Sequence, residues 1–423
     1  MDNTSIIEGD LEEVHGAKAD TSDRKPATKQ DEFDSVAQAD LINSKSGHQA
    51  LTSQSAATRM AKAPDNRSRT KMPRFRLLDG LRLLAALSVV LYHFTAFRTS
   101  AWGIPVSQVF PNFSGVTAFG AFGVQLFFII SGFVILLSAW GRSVGEFTAS
   151  RVGRLFPGYW VGVALTSLLL LVVRPSGVDI TITQSLVNLT MLQDPLGVDH
   201  IDGVYWTLWA ELKFYLIMGV LIAVGITRNR IIAVCALWPV IAALAERSDS
   251  KLLIHLLMPE YAPLFAGGMI LFLIFSQGSS VFYWILLGMN FIIAADQASN
   301  GHFQAIQKYT GYTFPDYACW IAVGIAFLAV GAATLTRLNR ISWASLSTAG
   351  ALTFPLYLVH EQWGWWYISL MSPILPHKIV LAAAISLCLV MALLIWQFVE
   401  KPYGPRLRRA IQSGLTTMAR RNA

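Results

Sequence analysis

Charged side chains are scarce in this sequence. Only 14% of its 423 residues are Asp, Glu, Lys or Arg, while 54% are apolar and the mean hydropathy is +0.48. A soluble domain averages about 25% charged residues, so a water-soluble globular chain is excluded and the membrane class is indicated. Cysteine is scarcer still: Cys235, Cys319 and Cys388 each sit inside an apolar run, with no paired spacing. That excludes a disulfide framework and a cysteine-based zinc site, and leaves them as packing residues. A metal-ligand cluster and a Walker-type phosphate loop are also missing, so no metal and no tightly bound cofactor is expected. The first ten residues, Met1–Asp10, have neither a basic start nor an apolar stretch, so no secretory signal is expected at that end.

The formal net charge of +7 invites a nucleic-acid reading, and its distribution removes it. Residues 1–72 carry 10 Lys/Arg against 12 Asp/Glu, leaving 23 against 14 in the apolar remainder. A basic excess among apolar runs reads as membrane topology rather than as a phosphate-tracking surface. Residues 1–72 lack apolar periodicity and cannot offset their ordering entropy by burial. They are expected to be a disordered cytoplasmic tail, followed by a transmembrane domain over 73–400 and a basic cytoplasmic C-terminal tail over 401–423.

Runs of about 20 residues, the length that crosses the hydrocarbon core, fall at roughly 77–97, 119–140, 156–173, 204–226, 230–246, 254–275, 281–298, 317–336, 345–368 and 378–398. The expected fold is therefore all-α, a polytopic transmembrane helical bundle of about ten spans. Arg142, Arg151 and Arg154, then Arg228 and Arg230, then Arg337 and Arg340, then Lys401, Arg406, Arg408 and Arg409 share the side of the N-terminal basic cluster. That distribution predicts both termini in the cytoplasm. The longest outer loop, about 174–203, is acidic, with Asp179, Asp194, Asp199 and Asp202.

Ionisable residues in apolar spans are costly and mark candidate sites. In the first span Arg82 and His93 are 11 residues apart, which places them on one helix face about 16 Å apart along the axis. The second span is rich in small residues, and its glycines 120, 123 and 132 permit close helix approach. Arg151 and Arg154 lie three apart at a helix boundary, a spacing that suits bidentate binding of phosphate, although topology alone also places arginines there. Glu211 in the fourth span and His360 in the ninth are expected in the outer half with His93, and Tyr215 lies one turn from Glu211.

In chain order, five motifs resemble the acyltransferase 3 family of membrane acyltransferases. They are Leu78-Asp-Gly-Leu-Arg82 with Tyr92-His93-Phe94, Gly123-Val-Gln-Leu-Phe-Phe-Ile-Ile-Ser-Gly-Phe133, Arg151-x-x-Arg154 with Pro157 and Tyr159, Trp206-Thr-Leu-x-x-Glu211-x-x-Phe-Tyr215, and Leu356-Tyr-Leu-Val-His360-Glu361. The resemblance covers about 75–400. It implies acyl transfer, commonly acetyl, from cytoplasmic acyl-CoA to a hydroxyl of a carbohydrate, lipid-linked glycan or other small acceptor, in the plasma (inner) membrane and among its lipids. His93 is implied as general base, with Glu211 and His360 as further catalytic candidates. Arg82, Arg151 and Arg154 are implied on the donor side, and Trp206, Tyr215 and Tyr357 as substrate-binding candidates. Leu83 departs from the family where a small residue is usual, and Leu212 and Lys213 replace a second acid and a Gln. Residue 98, five beyond His93, is arginine, so His93 is not part of a soluble-type His-x4-Asp signature. A solute transporter without covalent chemistry is the alternative reading, distinguishable by inverted repeats with broken mid-span helices.

Overall fold

A computed structural model describes residues 75–421, apart from 176–178 and 249. The tail expected over 1–72 lies outside the described residues. Every regular element among the described residues is helical. The long helices are α1 (Arg76–Thr95), α2 (Gly123–Ala139), α3 (Val144–Leu168), α4 (Trp206–Ala223), α5 (Arg228–Glu246), α6 (Ala262–Gln277), α7 (Val281–Gln297), α8 (Asp316–Leu335), α9 (Ala344–Met371), α10 (His377–Ile395) and α11 (Lys401–Arg421).

Nine helical stretches among the described residues are long and apolar enough to cross a membrane. The remaining expected span, 345–368, falls on α9, whose polar residues include Ser345, Ser347, Thr348, Thr353, His360, Glu361 and Gln362. This polar helix packs between α1 and α10. The C-terminal segment is helical over Lys401–Arg421, where α11 continues from α10 through one π turn and packs along α3.

The centre of the bundle is set by the two helices with no charged residue, α2 and α6. Of the apolar stretches that contain them, 78% and 83% is buried inside the protein, against 28% to 50% for the other seven. Apolar on every side, these two helices can be surrounded by neighbours. Their backbones touch where glycine permits: a Cβ on Gly132 would run into the Phe265 carbonyl oxygen, and one on Gly268 into that of Ile129. Gly120 and Gly123 seat the start of α2 against the Ser88 and Ala85 backbone of α1 in the same way.

Two caps place the site-bearing helices. Ser143 starts α3 with a capping box: its Oγ accepts from the Glu146 N–H at 3.3 Å, and its own N–H donates to Glu146 Oε2 at 3.2 Å. Gly141-Arg-Ser143-Val-Gly145 has the Gly-x-Ser-x-Gly spacing of a serine nucleophile elbow. Here the serine is a helix cap with no preceding strand, and its hydroxyl is committed to Glu146. Before α4, Asp202 Oδ1 accepts from the Val204 N–H at 3.2 Å. The acidic segment leading to it is pinned in place. Asn188 donates to the Asp199 carbonyl at 3.0 Å, Gln193 meets His200 at 2.9 Å, and the Tyr159 hydroxyl donates to the Asn188 carbonyl at 2.6 Å.

Candidate active site

His93 lies in the last turn of α1 and His360 in α9, the helix packed beside it. His360 Nδ1 is 2.9 Å from the Tyr357 carbonyl oxygen, and His93 Nδ1 is 3.0 Å from that of Val89. A carbonyl only accepts, so each Nδ1 carries a hydrogen, and each neutral ring keeps its lone pair on Nε2. His360 Nε2 is 3.2 Å from His93 Nδ1 and so shares that hydrogen as a second acceptor. The effect is to hold His93 in the tautomer whose Nε2 is a free base. His360 is fully buried, whereas the His93 side chain keeps 12% of its surface. The Trp365 indole donates to the His93 carbonyl at 3.0 Å, tying the end of α1 to α9.

His93 Nε2 faces Glu361 Oε2 at 3.6 Å. Glu361 is 5% exposed and lies against the Gly203 backbone. The approach is close enough that a Cβ on Gly203 would lie 2.6 Å from Glu361 Oε1. Behind Gly203, the Asp202 carboxyl is fully buried, and its Oδ2 finds no hydrogen-bond partner. Burial pushes the Asp202 carboxyl up from the ordinary carboxylate range, against the pull of the Val204 and Gln362 N–H groups.

The arginines occupy a second, connected region. One cavity of about 80 Å³ is lined by Arg82, Ser131, Arg154, Thr207, Glu211 and Tyr357 among others. A second, of about 340 Å³, reaches Asp79, Ser347 and Glu400 near the start of α1. Arg82 and Arg154 line both, so the guanidinium pair stands where the two volumes meet. Tyr357 closes the other end: its hydroxyl donates to the Val204 carbonyl at 3.0 Å and meets Thr207 Oγ1 at 2.7 Å, while its own carbonyl orients His360. One residue thus touches both the arginine cavity and the histidine pair.

The structure regroups the residues singled out by sequence. His93 and His360 meet, as their depth suggests. Glu211 goes elsewhere: it accepts from Tyr215 Oη at 2.7 Å and Ser131 Oγ at 3.4 Å, within the arginine cavity. Arg154, an exposed residue, is grouped with Arg82 at the cavity. Arg151, 8% exposed, instead donates to Ser138 Oγ at 3.0 Å and lies over the Phe147 and Tyr215 rings. Trp206 packs on Tyr261, with ring centroids 5.5 Å apart. Lys213 donates to the His255 carbonyl at 2.8 Å, leaving Glu211 to Tyr215 and Ser131. Sequence reasoning gave no role to Glu361 or Asp202. A carboxylate beside His360 in an apolar helix was the available signal for the first; Asp202 looked like one acid of an outer loop. Among the described residues, no group of three or more His, Cys, Asp or Glu side chains is arranged to hold a metal ion.

The family model for an acyltransferase domain matches residues 75–398. A Komagataeibacter xylinus protein named as a membrane-bound transacylase, BcsY, is 26% identical over 360 residues, covering 78% of this chain and 82% of that one. Nodulation protein 10 of Rhizobium leguminosarum bv. viciae is 32% identical over 169 residues, 34% of this chain and 44% of the relative. A Bacillus subtilis protein, YrhL, named as a peptidoglycan O-acetyltransferase, is 28% identical over 183 residues, 38% of this chain and 26% of its own length. No solved structure matches the chain. A helical multi-pass fold with these matches defines an integral membrane acyltransferase. Within that class, the chain belongs to the acyltransferase 3 family.

Proposed function

We propose that this acyltransferase moves an acyl group, acetyl in the first instance, from cytoplasmic acyl-CoA to a hydroxyl of a carbohydrate or lipid-linked glycan at the far side of the membrane. The observation that carries this reading is the linked series from the Arg82/Arg154 cavity through Tyr357 to His360 and His93. Arg154 and Arg82 offer charge-assisted hydrogen bonds to donor phosphate, and the cavity they line extends to Tyr357. The K. xylinus relative, a transacylase by name, supports acyl transfer, and the B. subtilis relative, a peptidoglycan O-acetyltransferase by name, supports an acceptor of carbohydrate type.

In this reading, His93 Nε2 accepts the hydroxyl proton as the acceptor oxygen bonds to the thioester carbonyl carbon. The C–S bond breaks, and the imidazolium returns the proton to the departing thiolate, giving ester and free thiol in equal amount. The Nδ1–H, held by Val89 and His360, keeps the ring turned for this task. In this reading the membrane is the plasma (inner) membrane, and the bias of Lys and Arg toward one set of loops supports a cytoplasmic position for both termini and the donor side.

Sealed vesicles of known sidedness test the whole scheme. Labelled acetyl-CoA supplied to the side bearing the basic loops is expected to give labelled ester on glycan, matched by free CoA thiol. Use of donor from the acidic-loop side, or thiol release without any acetyl ester, would overturn the proposal. In the same assay, Arg154→Gln is expected to raise the donor KM about 10- to 100-fold, the scale of one hydrogen bond to a charged group, with the acceptor KM unchanged. An unaltered donor KM removes Arg154 from donor binding.

A further inference from the structure

Glu361 and Asp202 form a second acid–base unit behind His93. They come from different parts of the chain, α9 and the turn before α4, and the fold presses them together. A Cβ at Gly203 would lie 2.6 Å from Glu361 Oε1, so the absence of a side chain there lets the Glu361 carboxylate lie against that backbone. Asp202, the residue before, is fully buried, and its Oδ2 is unpartnered. Two buried carboxyls that meet at the Asp202–Gly203 backbone cannot both be ionised without a large electrostatic cost. Removing one charge by protonation offsets that cost, and the buried oxygen with no partner is where a proton relieves most.

We infer that Glu361 and Asp202 share one proton, so that Glu361 serves as the counter-charge to the His93 imidazolium formed during transfer while Asp202 holds the proton that keeps the unit singly charged. This rests on the reading of His93 as base. Glu361 Oε2 is the acceptor facing His93 Nε2, at 3.6 Å. As the hydroxyl proton reaches Nε2, the new positive charge is formed beside a carboxylate already in place, which is how a preorganised charge lowers a barrier. Asp202 acts through Glu361 and touches no reacting atom, which makes it a positioning residue. The other ionisable groups that interact with the two carboxyls are Tyr92 from α1, Tyr205 from the turn before α4, Tyr357 from α9 and Cys388 from α10.

The pH profile of kcat separates this arrangement from a structural one. In Glu361→Gln the imidazolium loses its counter-charge. Turnover is expected to fall about 10²-fold, and the acid limb of the profile to move to lower pH by about one unit. Asp202→Asn keeps the helix cap, since asparagine caps as well as aspartate, and its uncharged amide stands in for the protonated carboxyl, leaving the single negative charge on Glu361. Its acid limb is therefore expected to stay within about 0.2 unit of the wild type. Two independently ionised carboxylates predict a downward shift for Asp202→Asn, because a negative charge near His93 is then removed. A downward shift in that variant, or near-normal turnover in Glu361→Gln, overturns the shared-proton unit. Normal turnover in His93→Gln would instead strike the reading of His93 as base, so the two failures are distinguishable.

Discussion

His93→Gln is expected to lower acyl transfer by about 10²- to 10⁴-fold, the range for a positioned acid or base, while leaving donor binding intact. Glutamine approximates the size of histidine and can still donate to the Val89 carbonyl that now holds Nδ1 at 3.0 Å. It cannot take up a proton at neutral pH, and proton uptake is the function assigned to Nε2. The donor region centred on Arg82 and Arg154 lies toward the other end of α1, so acyl-CoA affinity should change less than about threefold. Turnover with labelled acetyl-CoA and donor affinity by equilibrium binding give the two readouts. Glutamine retaining more than a tenth of wild-type turnover would assign His93 to packing or substrate positioning. Parallel loss of donor binding would mean that the substitution disturbed α1 as a whole.

Much of the architecture was legible because the solvent imposes it. A backbone in lipid must satisfy its own hydrogen bonds, so apolar runs of spanning length announce helices, and all ten runs coincide with long helices. The exception in apolarity, α9, is the helix that carries His360 and Glu361 into the site. Pairing of those helices was less legible. Residue depth brought His93 and His360 to one level correctly, because a rise of 1.5 Å per residue fixes height along an axis. Depth carries no information on which neighbour a face meets, which is why Glu211 joined the arginines instead. Arg151 and Arg154 illustrate the same limit within one turn of α3. Three residues apart, they share a general direction, yet Ser138 and the Phe147 and Tyr215 rings enclose one while the other lines the cavity. Asp202 was out of reach because its burial depends on the long acidic segment folding back through Asn188, Gln193 and Tyr159.

The glycines of the central helix pair carry the other large expected effect. Gly132→Ala should destabilise the folded protein by at least about 2 kcal/mol, the middle of the range for overpacking, although alanine favours a helix by about 1 kcal/mol over glycine. Gly132 meets the Phe265 carbonyl and the Gly268 backbone rather than a movable side chain, so the added methyl can be admitted only if α2 and α6 move apart. These are the two most enclosed helices of the bundle, and separating them loosens the packing of Phe128, Phe133, Phe265 and Phe272 between them. Gly219 in α4 and Gly288 in α7 provide the internal comparison, because a Cβ at either position meets nothing within 4 Å. Alanine there should leave stability unchanged or slightly raised. Thermal unfolding of the three variants in one detergent, followed by loss of monodisperse protein, makes the comparison direct. If Gly132→Ala unfolds at the same temperature as Gly219→Ala and Gly288→Ala, the backbone contact between α2 and α6 is not what fixes the centre of this fold.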